Sequence, residues 1–245
     1  MAQSRISARG AFEATRIRAG TVLVCTLSIL SVPGFGEPQA GNSLEATFAR
    51  MDEAAAAFKG LTADIRHQSH TDVVDKDDVQ EGTITVKRVK VKDTRILIRF
   101  TKPETKLYAI GGGKFWSYNP KTQEAQEADL GNSKDIVNQF MLLAFGSNSA
   151  ELKSAYSVKL GGPDVVNGEN TTRLEMVPKS EEILKHVKRC DMWIAETGLT
   201  VQQKFFETGG DYVLATYSQV TLAPNLPESA VKLEIPKGIK VTKIK

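Results

Sequence analysis

Ile96-Leu97-Ile98-Arg99-Phe100 places the large apolar side chains of Ile96, Ile98 and Phe100 on one face of an extended chain. Residues Thr83-Ile84-Thr85-Val86 repeat this pattern, and β-branched or aromatic residues at a period of two are typical of strands. Turn sequences such as Gly111-Gly112-Gly113 separate the alternating runs. The stretch from Leu61 to about Gly131 therefore predicts a series of antiparallel strands.

The alternation returns in the second half of the chain. Strands are predicted there at about residues 156–166, 170–177, 187–195, 199–208, 211–223 and 231–244. About eleven strands in uninterrupted antiparallel order, with helices at the start and in the middle, favour one curved sheet over two domains. The predicted fold class is therefore mainly β with α-helices.

Helical periodicity occurs in three places. Ser43 is a plausible N-cap for an amphipathic helix that runs to Phe58 and ends at Lys59-Gly60. A second helix is predicted from Ser133 to Phe145, and a short helical turn from Ala150 to Tyr156. The apolar side chains of the second helix cover more than one stripe, so we expect it to be buried or to act as a movable cover over an apolar space.

The first 36 residues are typical of a secretory signal peptide. Arg5, Arg9, Arg16 and Arg18 precede an apolar run at residues 22–32, and small residues at Gly34 and Gly36 fit a cleavage site before Glu37. The run is shorter than the roughly 20 residues of a membrane helix, which makes an uncleaved anchor the weaker interpretation. A lipidated Cys25 is disfavoured because the apolar run continues past it.

Residues 37–245 are predicted to form a single exported domain outside the cytoplasm. Without the first 36 residues, the 32 basic and 29 acidic residues of the chain become 28 of each, so the predicted mature protein is close to neutral. The basic excess belongs to the signal peptide, and no case for nucleic-acid binding remains.

Motifs that carry catalysis are absent from the sequence. It has no Gly-x-Ser-x-Gly, His-Glu-x-x-His, phosphate-loop or Cys-x-x-Cys motif. His67 and His70 would point to opposite faces of a strand, which makes them a poor metal pair. Cys190 lies in an alternating apolar pattern and is expected to be buried, although a nucleophile pair with His186 or His67 stays open. We expect no enzymatic activity, cofactor or metal.

Lys114-Phe115-Trp116-Ser117-Tyr118-Asn119-Pro120 resembles the Gly-Lys-x-x-Trp-x-Tyr-x-Pro segment of the periplasmic outer-membrane lipoprotein carrier family, the LolA type. The agreement continues in order along about 200 residues and is more specific for the fold than for the cargo. It comprises Phe58-Lys59-Gly60-Leu61, Gln80-Glu81-Gly82, Val86-Lys87-Arg88, Arg99-Phe100, Pro103, Leu143-Ala144-Phe145-Gly146, Leu174, Pro178-Lys179, Trp193-Ile194, Thr197-Gly198-Leu199 and Leu233-Glu234-Ile235-Pro236-Lys237-Gly238.

The resemblance implies an incomplete, highly curved antiparallel β-barrel whose apolar face is covered by helices. It further implies a monomeric carrier of lipoprotein acyl chains, with an inner-membrane release complex and an outer-membrane acceptor as partners. Arg88 matches an arginine that the family uses to keep cargo transferable, whereas its strand position alone predicts a solvated side chain. An exported lipid-sensing domain, or a domain that binds other lipids or glycolipids, is the alternative.

The expected acyl-chain cavity combines the apolar side chains of the strands and of the second helix. An ordinary packed core is the simpler interpretation of the same residues. The cavity residues are Ile96, Ile98, Phe100, Trp116, Tyr118, Phe140, Met141, Phe145, Leu174, Met176, Met192 and Ile194.

Overall fold

The computed structural model describes residues 43–90, 93–131 and 145–244. The predicted signal peptide and cleavage site, and the predicted second helix up to residue 144, lie outside these residues. The strands are β1 (Gly60–Thr71), β2 (Lys76–Lys90), β3 (Asp93–Lys102), β4 (Lys106–Gly111), β5 (Lys114–Asn119), β6 (Glu124–Asp129), β7 (Tyr156–Val166), β8 (Glu169–Pro178), β9 (Val187–Ala195), β10 (Thr200–Glu207), β11 (Tyr212–Leu222) and β12 (Val241–Ile244). The helices are α1 (Leu44–Ala57), α2 (Ser149–Ala155) and α3 (Glu181–Leu184), with short 3₁₀ turns at Asp72–Val74 and Glu228–Val231.

The strands form one sheet in the order β12-β6-β5-β4-β3-β2-β1-β11-β10-β9-β8-β7. Neighbouring strands are antiparallel, except that β12 runs parallel to β6. Because β12 and β7 lie at opposite ends of this order, the sheet is open. The predicted class, mainly β with helices around an incomplete barrel, is confirmed, with twelve strands in the described part of the chain in place of about eleven.

The predicted strand at residues 231–244 is wrong over most of its length. Only Val241–Ile244 is a strand, and the chain before it is irregular after the turn at Glu228–Val231. Pro236 lacks a backbone donor, and Gly238 has a φ of 94°, so this stretch cannot continue a ladder. Its apolar side chains pack against strands instead, where Leu233, Ile235 and Ile239 contact Leu107, Tyr118 and Ala125. We call residues 227–240 the C-terminal segment.

The two faces of the sheet follow from its register. Ile98 is opposite Ile84 on one side and Tyr108 on the other, and Ile84 is opposite Ala63, so these four side chains share what we call the inner face. Leu97 and the other alternate residues lie on the outer face. The C-terminal segment covers the outer face at β4–β6.

Helix α1 lies over the inner face. Ser43 caps the helix as predicted, because its side chain accepts a hydrogen bond from the Ala46 amide at 3.1 Å. Phe48 and Met51 of α1 belong to an apolar cluster with the residues of β8 and β9. Phe58, which follows the helix, belongs to a second cluster with residues of β1–β3 and β11. Helix α1 and the residue that follows it therefore contribute to both halves of the core.

Candidate functional site

Four rings form a continuous row across the inner face of β1, β3, β4 and β5. The ring centres of His67 and Phe100 are 5.8 Å apart, and those of Phe100 and Tyr108 are 6.0 Å apart. Tyr108 stacks on Phe115, again at 6.0 Å. These separations are typical of favourable aromatic contacts. We call His67, Phe100, Tyr108 and Phe115 the aromatic row.

The strand register explains why these rings meet although β2 separates β1 from β3. Gly82 of β2 lies directly opposite Phe100 and opposite Ile65 of β1, and it leaves no side chain between them. A Cβ atom at Gly82 would lie 2.0 Å from the carbonyl oxygen of Arg99, because the ladder shifts register between Glu81 and Gly82. Glycine is therefore required both for the irregularity and for the close approach of the two rings.

The row belongs to an apolar surface that is only partly covered. Phe100 is 4% exposed, whereas Ile98, Tyr108, Ile110 and Phe115 are half-buried. Burial lowers the pKa of His67, so its imidazole is neutral at pH 7. The rings and the aliphatic side chains of this surface are therefore uncharged, which suits an apolar ligand better than a polar one.

Three of the predicted cavity residues, Ile96, Ile98 and Phe100, lie on this inner surface. Trp116 and Tyr118 do not, because Trp116 pairs with Ala109 and Tyr118 with Leu107, both on the outer face. The expectation that these two residues line the same surface as Ile98 is wrong. The inner-face residue of this strand is Phe115, which is opposite Ile110.

Trp116 and Tyr118 instead line two cavities of about 520 Å³ each between the outer face and the C-terminal segment. Charged side chains line both cavities, with Arg99, Lys232 and Glu234 at the first and Arg95 and Glu228 at the second. Trp116 donates a hydrogen bond from Nε1 to Glu127 at 3.0 Å. Polar and charged groups thus make up much of the wall of the first cavity, whereas apolar side chains predominate in the second.

Leu174, Met176, Met192 and Ile194 are on the inner face but are at most 1% exposed. They pack with Phe48 and Met51 of α1 and with Leu152 of α2. Leu174 is opposite Met192 in the ladder, so their close packing follows from the register. These four residues form the packed core between the sheet and the helices. This agrees with the interpretation of the apolar strand residues as an ordinary packed core.

The remaining predicted cavity residues belong to the second helix. Phe140 and Met141 lie outside the described residues. Phe145 is 4% exposed and packs edge-on against Tyr217, with ring centres 4.8 Å apart. Phe145 therefore belongs to the core cluster that continues into the aromatic row through Phe100.

Arg88 points to the inner face and closes the end of α1. Its Nη1 donates hydrogen bonds to the carbonyl oxygens of Ala55 at 2.9 Å and Phe58 at 3.3 Å, and its Nη2 donates to that of Gly146. The guanidinium also lies 5.3 Å from the centre of the Phe58 ring. The last carbonyls of a helix lack partners within it, and a cation stabilises this end. The interpretation of Arg88 as a solvated strand residue is wrong.

Groups that could support catalysis are kept apart. Cys190 is fully buried, as predicted, and burial raises the pKa of its thiol well above the ordinary value. His186 is exposed at the start of β9, and His67 and His70 lie on opposite faces of β1. Within the described ranges, no group of three His, Cys, Asp or Glu side chains could hold a metal ion. None of the described helices is long and apolar enough to cross a membrane.

Tyr108 and Phe115 were not among the predicted cavity residues. Both β4 and β5 carry apolar side chains on their two faces, so alternation alone does not say which face is the inner one. The two-residue turn at Gly112-Gly113 does determine which residues of β4 and β5 are paired, and so which face each side chain shares. It pairs Gly111 with Lys114, and consequently Ile110 with Phe115.

No family model and no curated protein matches the chain. Among solved structures, an uncharacterized conserved protein from Thermus thermophilus has a TM-score of 0.51 and 12% identity over 82% of this chain and 98% of that one. MucB has a TM-score of 0.48 and 12% identity over 78% of this chain, which spans 62% of the MucB chain. A LolA superfamily protein from Nitrosomonas europaea has a TM-score of 0.37 and 10% identity over 77% and 97% of the two chains.

The similarity to the Thermus thermophilus protein supports the open antiparallel-sheet fold. The open antiparallel sheet with a helix over its inner face is the architecture that the sequence resemblance implied. At 12% identity this similarity concerns the fold alone.

Proposed function

We propose that this protein is a non-enzymatic periplasmic carrier that binds acyl chains of lipoproteins, or of other lipids, along the aromatic row on the inner face of β3–β5. The observation that carries the proposal is the half-buried apolar surface of Ile98, Tyr108, Ile110 and Phe115 beside the closed core. Large apolar side chains that stay partly exposed in register on one face are typical of a ligand-binding surface.

The energetics of such binding are favourable. Each methylene removed from water contributes about 0.8 kcal/mol, so even partial burial of an acyl chain is sufficient for binding. The fully buried residues Leu174, Met176 and Met192 offer no such surface, because α1 and α2 already cover them. Binding is therefore expected on the β3–β5 side of the inner face.

The outer cavities are the competing location. Arg99, Lys232 and Glu234 line one of them, and an acyl chain placed there would remove water from charged groups without replacing their hydrogen bonds. The inner surface carries one cation, Lys106, opposite Phe100 at one end of the row, and aliphatic side chains lie next to the other rings. This difference favours the inner face over that charged cavity for the acyl chain.

The shuttling role extends the binding proposal. The expected partners are an inner-membrane complex that releases lipoproteins and an outer-membrane acceptor. Arg88 connects α1 to the chain at Gly146, and leucine at this position would extend the apolar surface that holds the acyl chain. We expect Arg88→Leu to slow transfer of a purified acylated lipoprotein to an acceptor, and an unchanged transfer rate would remove Arg88 from the transfer step.

Two neighbouring residues of β3 allow a matched test of the binding site. Ile98 faces inward and Leu97 outward, and both are half-buried aliphatic residues of the same strand. Leu97 also lines an outer cavity. Ile98→Asn should weaken binding of a fluorescent long-chain acyl probe about tenfold, because it places an amide on the apolar surface, and Leu97→Asn should leave binding within about twofold.

Urea denaturation of both variants checks that they lose comparable stability. The opposite result, with Leu97→Asn weakening binding and Ile98→Asn leaving it intact, would move the site to the outer face. Absence of binding by the wild-type protein would remove the carrier proposal itself. Mass spectrometry of lipids and acylated peptides that co-purify from the periplasm would then identify the natural cargo.

A further inference from the structure

Lys106 lies at one end of the aromatic row. It is directly opposite Phe100 in the ladder between β3 and β4, so the two side chains share the inner face with their Cβ atoms about 5 Å apart. Lys106 is half-buried, whereas Lys121 and Lys102 nearby along the chain are exposed. The apolar surface therefore ends in a cation.

Two further polar side chains lie at the same end. His67, the first ring of the row, is directly opposite Gln80 of β2 on the inner face. Gln80 is half-buried and carries both a donor and an acceptor, and the neutral imidazole of His67 does too. Along the row towards Phe115, the neighbouring inner-face residues are Ile98 and Ile110, with the small polar side chain of Ser117 opposite Tyr108. Lys106 thus places a positive charge at the end of the row formed by His67 and Phe100.

Lys106 forms no ion pair with any of the described carboxylates. Glu104 is the carboxylate whose charge Lys106 influences, but Lys121 binds Glu104 directly. The hydrogen bond from Lys121, and to a smaller degree the charge of Lys106, hold the pKa of Glu104 below its ordinary value. The other nearby lysine of β3, Lys102, is paired with Glu81 at 3.0 Å.

We propose that the ligand of the inner face is an acyl lipid with an anionic headgroup, held with its carboxylate or phosphate against Lys106 and its chain along the aromatic row. This inference rests on the proposed function. The ammonium supplies the charge, Gln80 and His67 can donate hydrogen bonds, and the rings beyond Phe100 cover the chain. A half-buried cation beside an apolar surface binds an anion more strongly than an exposed one, because water screens it less.

Two probes that differ only in charge test the headgroup. Binding of cis-parinaric acid and of its methyl ester is measured by fluorescence at pH 8 for the wild-type protein, Lys106→Met and Lys106→Gln. The wild type should prefer the acid, and both variants should lose about five- to tenfold in affinity for the acid while they bind the ester unchanged. Lys114→Met is the matched control, since it removes the same charge on the outer face, where Lys114 is paired with Glu127 at 2.7 Å.

The outcomes separate this inference from the proposed function. If Lys106→Met keeps the acid-to-ester ratio of the wild type, or if Lys114→Met lowers it equally, the headgroup assignment is wrong although the carrier proposal stands. If the wild type binds neither probe, both fail. Inorganic phosphate at millimolar concentration should not displace the acid, and displacement would show that Lys106 belongs to a site for free anions.

Discussion

The guanidinium of Arg88 donates a hydrogen bond to the carbonyl oxygen of Gly146. The same guanidinium binds the carbonyl oxygen of Ala55 in the last turn of α1 at 2.9 Å. Strand β2, helix α1 and the chain at Gly146 therefore meet at one cation. Because the last carbonyl groups of a helix lack partners within it, Arg88 acts as a shared cap, although the Ala55 carbonyl oxygen also accepts a hydrogen bond from the Phe58 amide at 3.4 Å.

Arg88→Leu is expected to lower the free energy of unfolding by about 2 kcal/mol, because three carbonyl groups lose a charged donor and leucine cannot replace it. Arg88→Lys should lose less, since an ammonium can still bind one or two of them. Urea denaturation measures both values. Lys90→Leu is the control, because Lys90 is an exposed cation at the end of the same strand. A loss below about 0.5 kcal/mol for Arg88→Leu would show that the capping bonds contribute little.

Gly146→Ala is expected to destabilise the protein more than Gly113→Ala. Both glycines have nearly the same left-handed φ, 77° and 78°, so both substitutions carry a backbone cost of about 1 kcal/mol. At Gly146 a Cβ atom would also lie 2.6 Å from the Phe58 ring and 2.7 Å from Nη2 of Arg88, whereas at Gly113 nothing lies within 4 Å. The excess should be about 1–3 kcal/mol.

Chemical denaturation of the two glycine variants gives this excess directly. Equal losses would mean that Phe58 and Arg88 can move aside at no cost. The same two variants also test whether the contact between Arg88 and Gly146 matters for ligand binding. In Gly146→Ala, a displaced Arg88 guanidinium no longer holds the end of α1 to residue 146.

The strand pattern of the first half could be predicted from sequence because its residues obey local rules. Ile96, Ile98 and Phe100 share a face in any extended chain, and the turn at Gly112-Gly113 has the positive φ values that glycine adopts without strain. The C-terminal segment could not be predicted in the same way. Its alternating Leu233 and Ile235 have a strand pattern, but they pack side-on against Leu107 and Tyr118, a tertiary contact that no local rule contains.

The candidate site was only partly predictable for a related reason. Trp116 and Phe115 are both large aromatic residues of one strand, and their faces are distinguished only by the pairing of β5 with β4. Arg88 has the sequence context of a surface strand residue, yet the carbonyl groups it binds come from positions about 30 and 58 residues away along the chain. The sequence resemblance indicated its importance, and only the assembled fold shows its partners.

The hydrogen bond between Trp193 and Asp164 is expected to make part of the free energy of unfolding depend on pH. Trp193 donates a hydrogen bond from Nε1 to Asp164 at 2.8 Å, and this bond, together with that from the Val165 amide, holds the pKa of Asp164 below its ordinary value. The charged carboxylate is thus favoured in the folded state. Its stabilisation is present above the ordinary pKa of about 4 and is lost as the pH falls through the lowered folded value.

Asp164→Asn should therefore flatten the decline in unfolding free energy between about pH 4 and pH 2, while its side-chain oxygen can still accept the bond from Trp193. Urea denaturation across this range compares the two proteins. The relevant quantity is the difference between their pH profiles, because other carboxylates contribute equally to both. Parallel profiles would mean that the Trp193 bond does not distinguish the two protonation states of Asp164.

Cys190 is expected to be unreactive in the folded protein. Its side chain is fully buried, and burial raises the pKa of the thiol, so the thiolate that attacks a disulfide reagent is scarce. In a chain without residues 1–36, Ellman's reagent at pH 8 should modify no thiol in the native state and one thiol in urea. Adding Ser157→Cys, at an exposed position of β7, should give one reactive thiol in the native state and two in urea. Rapid native modification of Cys190 would contradict the burial argument and reopen the alternative of a hydrolase with Cys190 as its nucleophile.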